Sequence, residues 1–218
     1  MLARTAPATA PRRAAAPAAA ARPRRPRVAA MAAGPSYTYA EGKFDINQAP
    51  RLKVGDKVPM DFELLVLDEG ASDPRPVKLS EFAAGRKVVM FGLPGAYTSV
   101  CSSKHVPQYN ERLDKLKEAG VDAVACLSVN DPWVMREWAR QMDVPVDRVA
   151  MLADGEGSLH CKLGLLQHIP GLGVRAMRYS MLADDGTIKI LQVEEPGGKS
   201  YKVSGPDNML KCIVEGGQ

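Results

Sequence analysis

Two rhythms of apolar and polar positions alternate along residues 62–214, and the changes between them mark the elements. Phe62–Leu67 is a short apolar run that stops at the turn residues Asp68-Glu69-Gly70, which predicts a strand. Lys87–Leu93 (KVVMFGL) is β-branched and apolar for one strand's length, so a buried strand is expected. From about Ser99 the spacing turns helical. Val106, Tyr109, Leu113 and Leu116 share one face, and Gly120 supplies the C-terminal stop. Val121–Val129 predicts another strand, and Asp131-Pro132 opens a second helix with Met135, Trp138 and Met142 at i, i+3 and i+7. Met151–Ala153 predicts a third central strand and Ser158–Leu163 a short helix. Arg178–Ala183 and Thr187–Val193 flank Asp184-Asp185-Gly186, a hairpin signal, and Pro206–Val214 makes a last helix.

Strand–helix–strand–helix–strand, then a hairpin and a helix, predicts an α/β fold with a central mixed β-sheet flanked by helices. The order matches a thioredoxin-like core with insertions. No internal repeat is present, and Gly171-Leu172-Gly173 is too short and misplaced for a dinucleotide fingerprint.

The amino terminus breaks both rhythms. Residues 1–33 carry seven Arg, no Lys and no acid among Ala and Pro, and the first acidic residue is Glu41. Such a mixture buries too little shape-specific apolar surface to offset chain entropy, so disorder is expected. An Arg-rich, acid-free start suits an organelle transit peptide cleaved near 27–33, for the chloroplast stroma or, second, the mitochondrion. Residues 34–50 then read as an extended lead-in, with the folded domain over 51–218. A basic nucleic-acid arm is the weaker reading, because aromatic and Lys interleaving is missing. Taking those seven Arg from the 29 basic residues leaves 22 against 25 acidic ones, so the pI of 8.9 describes mostly the leader. Neither a nucleic-acid partner nor a membrane span is expected, since no run of 18 apolar residues occurs.

The four cysteines (Cys101, Cys126, Cys161 and Cys212) contain no C-x-x-C pair, which argues against a zinc ribbon and a thioredoxin-type dithiol. Cys101 lies in the first turn of the helix after 87–93. Free backbone N–H groups and the positive end of the helix dipole favour an anion there, hence a thiolate over a thiol. Thr98, three residues earlier, can cap the helix and aim a hydroxyl at the same space. Pro94 offers a rigid apolar wall. Residue types alone equally permit an inert buried Cys behind a shaped turn. Cys126, within an apolar strand, is by itself a small buried filler.

The spacing P-x-x-x-T-x-x-C and its surroundings go further. "FGLPGAYTSVCSSKHVPQY", "GVDAVACLSVNDPWVMREWAR", "MLADG", "GLGVRAMRYSMLADDG" and "LQVEEPGG" together resemble the peroxiredoxins, specifically the plant-type type II (atypical 2-Cys) branch. The likeness runs over roughly 50–215; Tyr97 and Ser99 stand where the family has Phe and Pro. It implies a peroxidatic Cys101 with Pro94, Thr98 and Arg178 as its catalytic partners, and peroxide oxygens held by Thr98, Arg178 and the N–H groups of Val100 and Cys101. Arg175 is the competing guanidinium, ranked second. Cys126 falls where plant-type members carry a resolving cysteine, and His105 falls at a family position expected to orient the helix start. The implied activity is reduction of H2O2 and alkyl hydroperoxides without metal, haem, flavin or other cofactor. Glutaredoxin with glutathione, or thioredoxin, is the implied reductant, and a homodimer the implied assembly. A non-enzymatic thiol redox sensor or chaperone is the alternative. Cys161 and Cys212 are expected to pack, and a Cys–His hydrolase built on His160 or His168 has no flanking signature.

Overall fold

The computed structural model describes residues 50–145 and 147–216. The expectations for the leader at 1–33 and for the lead-in up to residue 49 lie outside the described residues. The elements are β1 (Glu63–Val66), β2 (Arg75–Lys78), α1 (Leu79–Ala83), β3 (Lys87–Leu93) and a π-helical turn (Cys101–His105) that runs into α2 (Val106–Glu118). β4 (Ala123–Ser128), α3 (Pro132–Gln141), β5 (Val149–Ala153), α4 (Ser158–Lys162), β6 (Leu166–Ile169) and β7 (Gly173–Ala176) follow, then β8 (Tyr179–Asp184), β9 (Thr187–Val193) and α5 (Pro206–Val214).

Seven strands form one sheet in the order β2-β1-β5-β4-β3-β8-β9, and β6 and β7 form a separate hairpin. β3, β4 and β5 run parallel, and the strands outside them pair antiparallel. This is the mixed, helix-flanked sheet that the order of elements predicts. β3 is a continuous apolar run because both faces of a central strand are covered. Val89, Phe91 and Leu93 pack with Tyr109, Leu113, Met135 and Trp138 under α2 and α3, while Val88 and Met90 pack with Leu79, Leu127, Leu159 and Tyr179 on the other face.

The stops and starts follow local chemistry. α2 ends in a glycine-closed cap: Gly120 (φ 85°) donates to Lys117 O, and Val121 donates to Leu116 O. α3 starts on Asp131, whose carboxylate accepts from Val134 N–H at 2.9 Å, with Pro132 at its first position. The β8–β9 turn uses Asp185 (φ 45°) and Gly186 (φ 72°), the two left-handed residues that a tight hairpin of matching twist requires.

Four elements were not foreseen: β2, α1, β6 and β7. The β8–β3 pairing is what positions the site. Gly92 pairs with Tyr179, so Arg178, one residue earlier, arrives beside the turn that follows β3. A Cβ on Gly92 would fall 2.0 Å from Tyr179 Cε1, so that the ring occupies the space a side chain would need.

Candidate active site

β3 ends at Leu93, and the chain turns through Pro94, Gly95, Ala96 and Tyr97 before becoming helical at Ser99. Val100 and Cys101 therefore lie in the first helical turn, where backbone N–H groups lack intrahelical acceptors. Cys101 is fully buried. Thr98 Oγ1 donates to the Gly95 carbonyl at 2.8 Å. The expectation that this hydroxyl caps the helix is not met: no helix N–H bonds to it among the described residues. Having given its proton to Gly95, the oxygen retains only acceptor capacity.

Arg178 is buried beside the sulfur, with Nη2 3.4 Å from Cys101 Sγ and 2.9 Å from the Gly198 carbonyl. Its Nη1 lies 3.0 Å from His105 Nδ1. His105 Nε2 lies 3.2 Å from the Ser204 carbonyl, which only accepts, so the imidazole carries its proton on Nε2 and Nδ1 accepts from Arg178. Burial first, and then the neighbouring guanidinium, hold the His105 pKa down to about 3. His105 is thus a neutral acceptor that fixes Arg178, one turn along the helix from Cys101. This goes beyond the expectation that it merely orients the helix start.

A strap closes over Arg178. One oxygen of Glu194 accepts from the N–H groups of Lys202, Val203 and Ser204 and from Ser204 Oγ, while Ser200 Oγ donates to the other. Burial opposes the charge, but these bonds outweigh it and hold the carboxyl at about 2. The strap brings Ser204 O to His105 and to Tyr109 OH, and Gly198 O to Arg178. The β6–β7 hairpin anchors its start, since Gly197 N–H donates to Gln167 Oε1 at 2.8 Å. A Cβ on Gly198 would sit 3.1 Å from Pro94 Cγ, so Pro94 walls the site against the strap.

Arg175, the competing guanidinium, does not reach the sulfur. It donates to the Val129 carbonyl at 2.9 Å and the Leu172 carbonyl at 3.0 Å. Cys126 is fully buried in β4, in register with Phe91 and Met151. Burial chiefly, and then Cys101, push its thiol well up, against the opposing pull of Arg178. All four cysteines are unbridged, and Cys161 and Cys212 are half-buried in α4 and α5. His160 faces Asp154 Oδ2 at 2.6 Å and Tyr179 OH at 3.3 Å, with no bond to a cysteine among the described residues, and His168 is exposed.

A buried sulfur at a helix start, gripped by a guanidinium whose own partners are all fixed, is suited to nucleophilic attack with stabilisation of a departing oxygen. The relatives of the chain name its family. The family model described as Redoxin matches residues 53–210. Peroxiredoxin-2E, chloroplastic, of Arabidopsis thaliana is 42% identical over 166 residues, covering 74% of this chain and 69% of the relative. The chain is a peroxiredoxin of the redoxin family. Peroxiredoxin-2F, mitochondrial, of the same plant is also 42% identical, over 67% of this chain and 73% of its own length. Among solved structures, reduced Prx3 in complex with H2O2 from Vibrio vulnificus is 36% identical, with a TM-score of 0.68 over 74% of this chain and 99% of that one. This peroxiredoxin is accordingly a thiol peroxidase with a thioredoxin-like fold.

The residues sequence reading missed are those that hold the site together: Glu194, Gly198, Ser204 and Gln167. Each acts through a backbone group or at long range, so none gives a periodic or motif signal. Glu194 lies within "LQVEEPGG", where two adjacent Glu residues look alike.

Proposed function

We propose that the Cys101 thiolate attacks the nearer oxygen of a peroxide while Arg178 holds the sulfur and the oxygens in line. The sulfur's electron pair forms the S–O bond and the O–O bond breaks. The proton on the attacked oxygen passes to the leaving oxygen, which departs as water or alcohol, and the Cys101 sulfenate so formed takes up a solvent proton to become a sulfenic acid. Thr98 Oγ1, with its proton committed to Gly95, accepts from the peroxide O–H. The N–H groups of Val100 and Cys101 and the buried Arg178 Nε, which has no protein partner among the described residues, are the donors for oxygen. Pro94 and the strap keep water from the sulfur. The observation that carries this reading is the Arg178 Nη2 contact with Cys101 Sγ at 3.4 Å. Cys101→Ser is expected to abolish peroxide consumption and keep the fold; activity that survives it and falls with Cys126→Ser would overturn the assignment.

For recycling, Cys126 is the resolving partner, and a disulfide needs Cα atoms within about 7 Å with suitably directed Cβ atoms. Because Cys126 is locked inside β4, the turn at Cys101–His105 has to open for the two sulfurs to bond. Glutathione or glutaredoxin attacks the Cys101 sulfenic acid directly, as the competing route, with thioredoxin as the reductant of the disulfide. Exposed Tyr97, Trp133 and Leu172 offer apolar surface for a homodimer contact near the site. The Arg-rich residues 1–33 and the chloroplastic relatives support targeting to the plastid. A fluorescent fusion of residues 1–40 that stays cytosolic would contradict it.

A further inference from the structure

The turn after β3 is held from behind by a polar network that makes no hydrogen bond to Cys101 Sγ among the described residues. Ala96 N–H donates to Asn130 Oδ1 at 3.0 Å, and Ser128 Oγ donates to the same oxygen at 2.7 Å. Arg175 braces the neighbouring Val129 carbonyl, and its Nη1 lies 3.7 Å from where a Cβ on Gly95 would stand. On the front side, the Gly95 carbonyl accepts from Thr98 Oγ1 at 2.8 Å and from Thr98 N–H at 3.4 Å.

These two sides are one rigid unit. The Gly95 carbonyl and the Ala96 N–H belong to the same trans peptide and point in opposite directions. Anchoring the N–H to Asn130 therefore aims the carbonyl at Thr98. Left to itself the turn is poorly held, because Tyr97, the third residue of the Gly95-Ala96-Tyr97-Thr98 turn, has φ 62°, a place where such turns favour glycine. If that peptide rotates, Thr98 loses the acceptor that takes its proton, and its lone pairs are no longer presented to the peroxide.

We propose that Asn130, braced by Ser128 and Arg175, is a positioning residue for peroxide: it fixes the Gly95–Ala96 peptide and through it the orientation of the Thr98 hydroxyl. This rests on the assignment of Thr98 to the peroxide. It also gives Arg175 a role, as a support of the turn instead of a ligand of the sulfur.

The test measures two rates on the Cys101 peptide: oxidation by H2O2, and alkylation by iodoacetamide, which needs the sulfur but no oxygen-binding hydroxyl. Asn130→Ala is expected to slow oxidation about 10- to 100-fold and leave alkylation unchanged. Asn130→Asp, which keeps an oxygen acceptor, should recover most of the rate. In a Thr98→Val background, Asn130→Ala should add nothing. Wild-type oxidation in Asn130→Ala, equal slowing of both reactions, or additive effects of the two substitutions would overturn the proposal. Thr98→Val oxidised at wild-type speed would instead sink the Thr98 assignment beneath it. Should Asn130→Ala not fold, Ser128→Ala removes only the brace and is read in the same way, with a smaller slowing expected.

Discussion

Replacing Arg178 with lysine keeps a cation beside Cys101 and removes the fork that serves three acceptors at once. The guanidinium meets His105 Nδ1 at 3.0 Å, Gly198 O at 2.9 Å and Cys101 Sγ at 3.4 Å. A lysine ammonium, one nitrogen on a flexible stem, cannot span these. If it stays on the sulfur, His105 Nδ1 and the Gly198 carbonyl lose their donors. A buried unsatisfied acceptor costs about 1–3 kcal/mol, so for the two a loss of about 2–6 kcal/mol in stability is expected. Removing a preorganised donor from a transition state costs a further ~2.7–4 kcal/mol of barrier, or roughly 10²–10³ in rate. Stopped-flow measurement of Cys101 oxidation, at a temperature where circular dichroism shows Arg178→Lys folded, should record that slowing. Oxidation at the wild-type rate would refute the reasoning and leave the helix start as sufficient. Arg175 could not be credited, because its guanidinium is committed to the Val129 and Leu172 carbonyls.

Acid should destabilise the fold earlier than its carboxylates alone require. His105 is held at about 3, so below pH ~6.5 the unfolded chain binds a proton that the folded one refuses. Stability should therefore be fully present above pH 6.5 and fall by about 1.4 kcal/mol per pH unit on the way down. Between pH 6.5 and 5 this precedes the loss from Glu194, whose carboxyl is held at about 2. Urea titrations of wild type and His105→Gln should show the slope only in wild type; equal slopes would contradict a neutral buried His105. Gly92→Ala would drive a Cβ into the Tyr179 ring next to Arg178, and a loss of about 1–3 kcal/mol with slowed oxidation is expected by thermal melts and stopped flow. Cys126→Ser should keep turnover with glutaredoxin and glutathione. If it is inactive with every thiol donor, the direct route is wrong.

Elements whose residues meet their own periodicity were legible in the chain. β3, α2 and the Asp185-Gly186 hairpin each carry a pattern that needs no partner to interpret. β2 (RPVK) has none, being short, largely exposed and containing Pro76; it is a strand only because β1 pairs with it. β6 and β7 lie off the main sheet around Gly171-Leu172-Gly173, whose glycines shape a hairpin turn. Nor could the π-helical turn at Cys101–His105 be read, since val-, ser- and lys-type positions around it suit an ordinary helix equally well. Pro94, Thr98 and Cys101 stood out through their spacing. The grip on Arg178 did not, because His105 and the strap that carries Gly198 and Ser204 lie far apart in sequence, and the strap meets Arg178 and His105 through backbone carbonyls.

The most direct measurement of the central claim treats the reduced protein with one equivalent of H2O2 and maps the oxidised sulfur by mass spectrometry within the first turnover. Oxygen should land on Cys101 alone, seen as sulfenic acid in Cys126→Ser and as a Cys101–Cys126 disulfide in wild type. First oxidation at Cys126, Cys161 or Cys212 with Cys101 still reduced would contradict Cys101 as the residue that meets the peroxide.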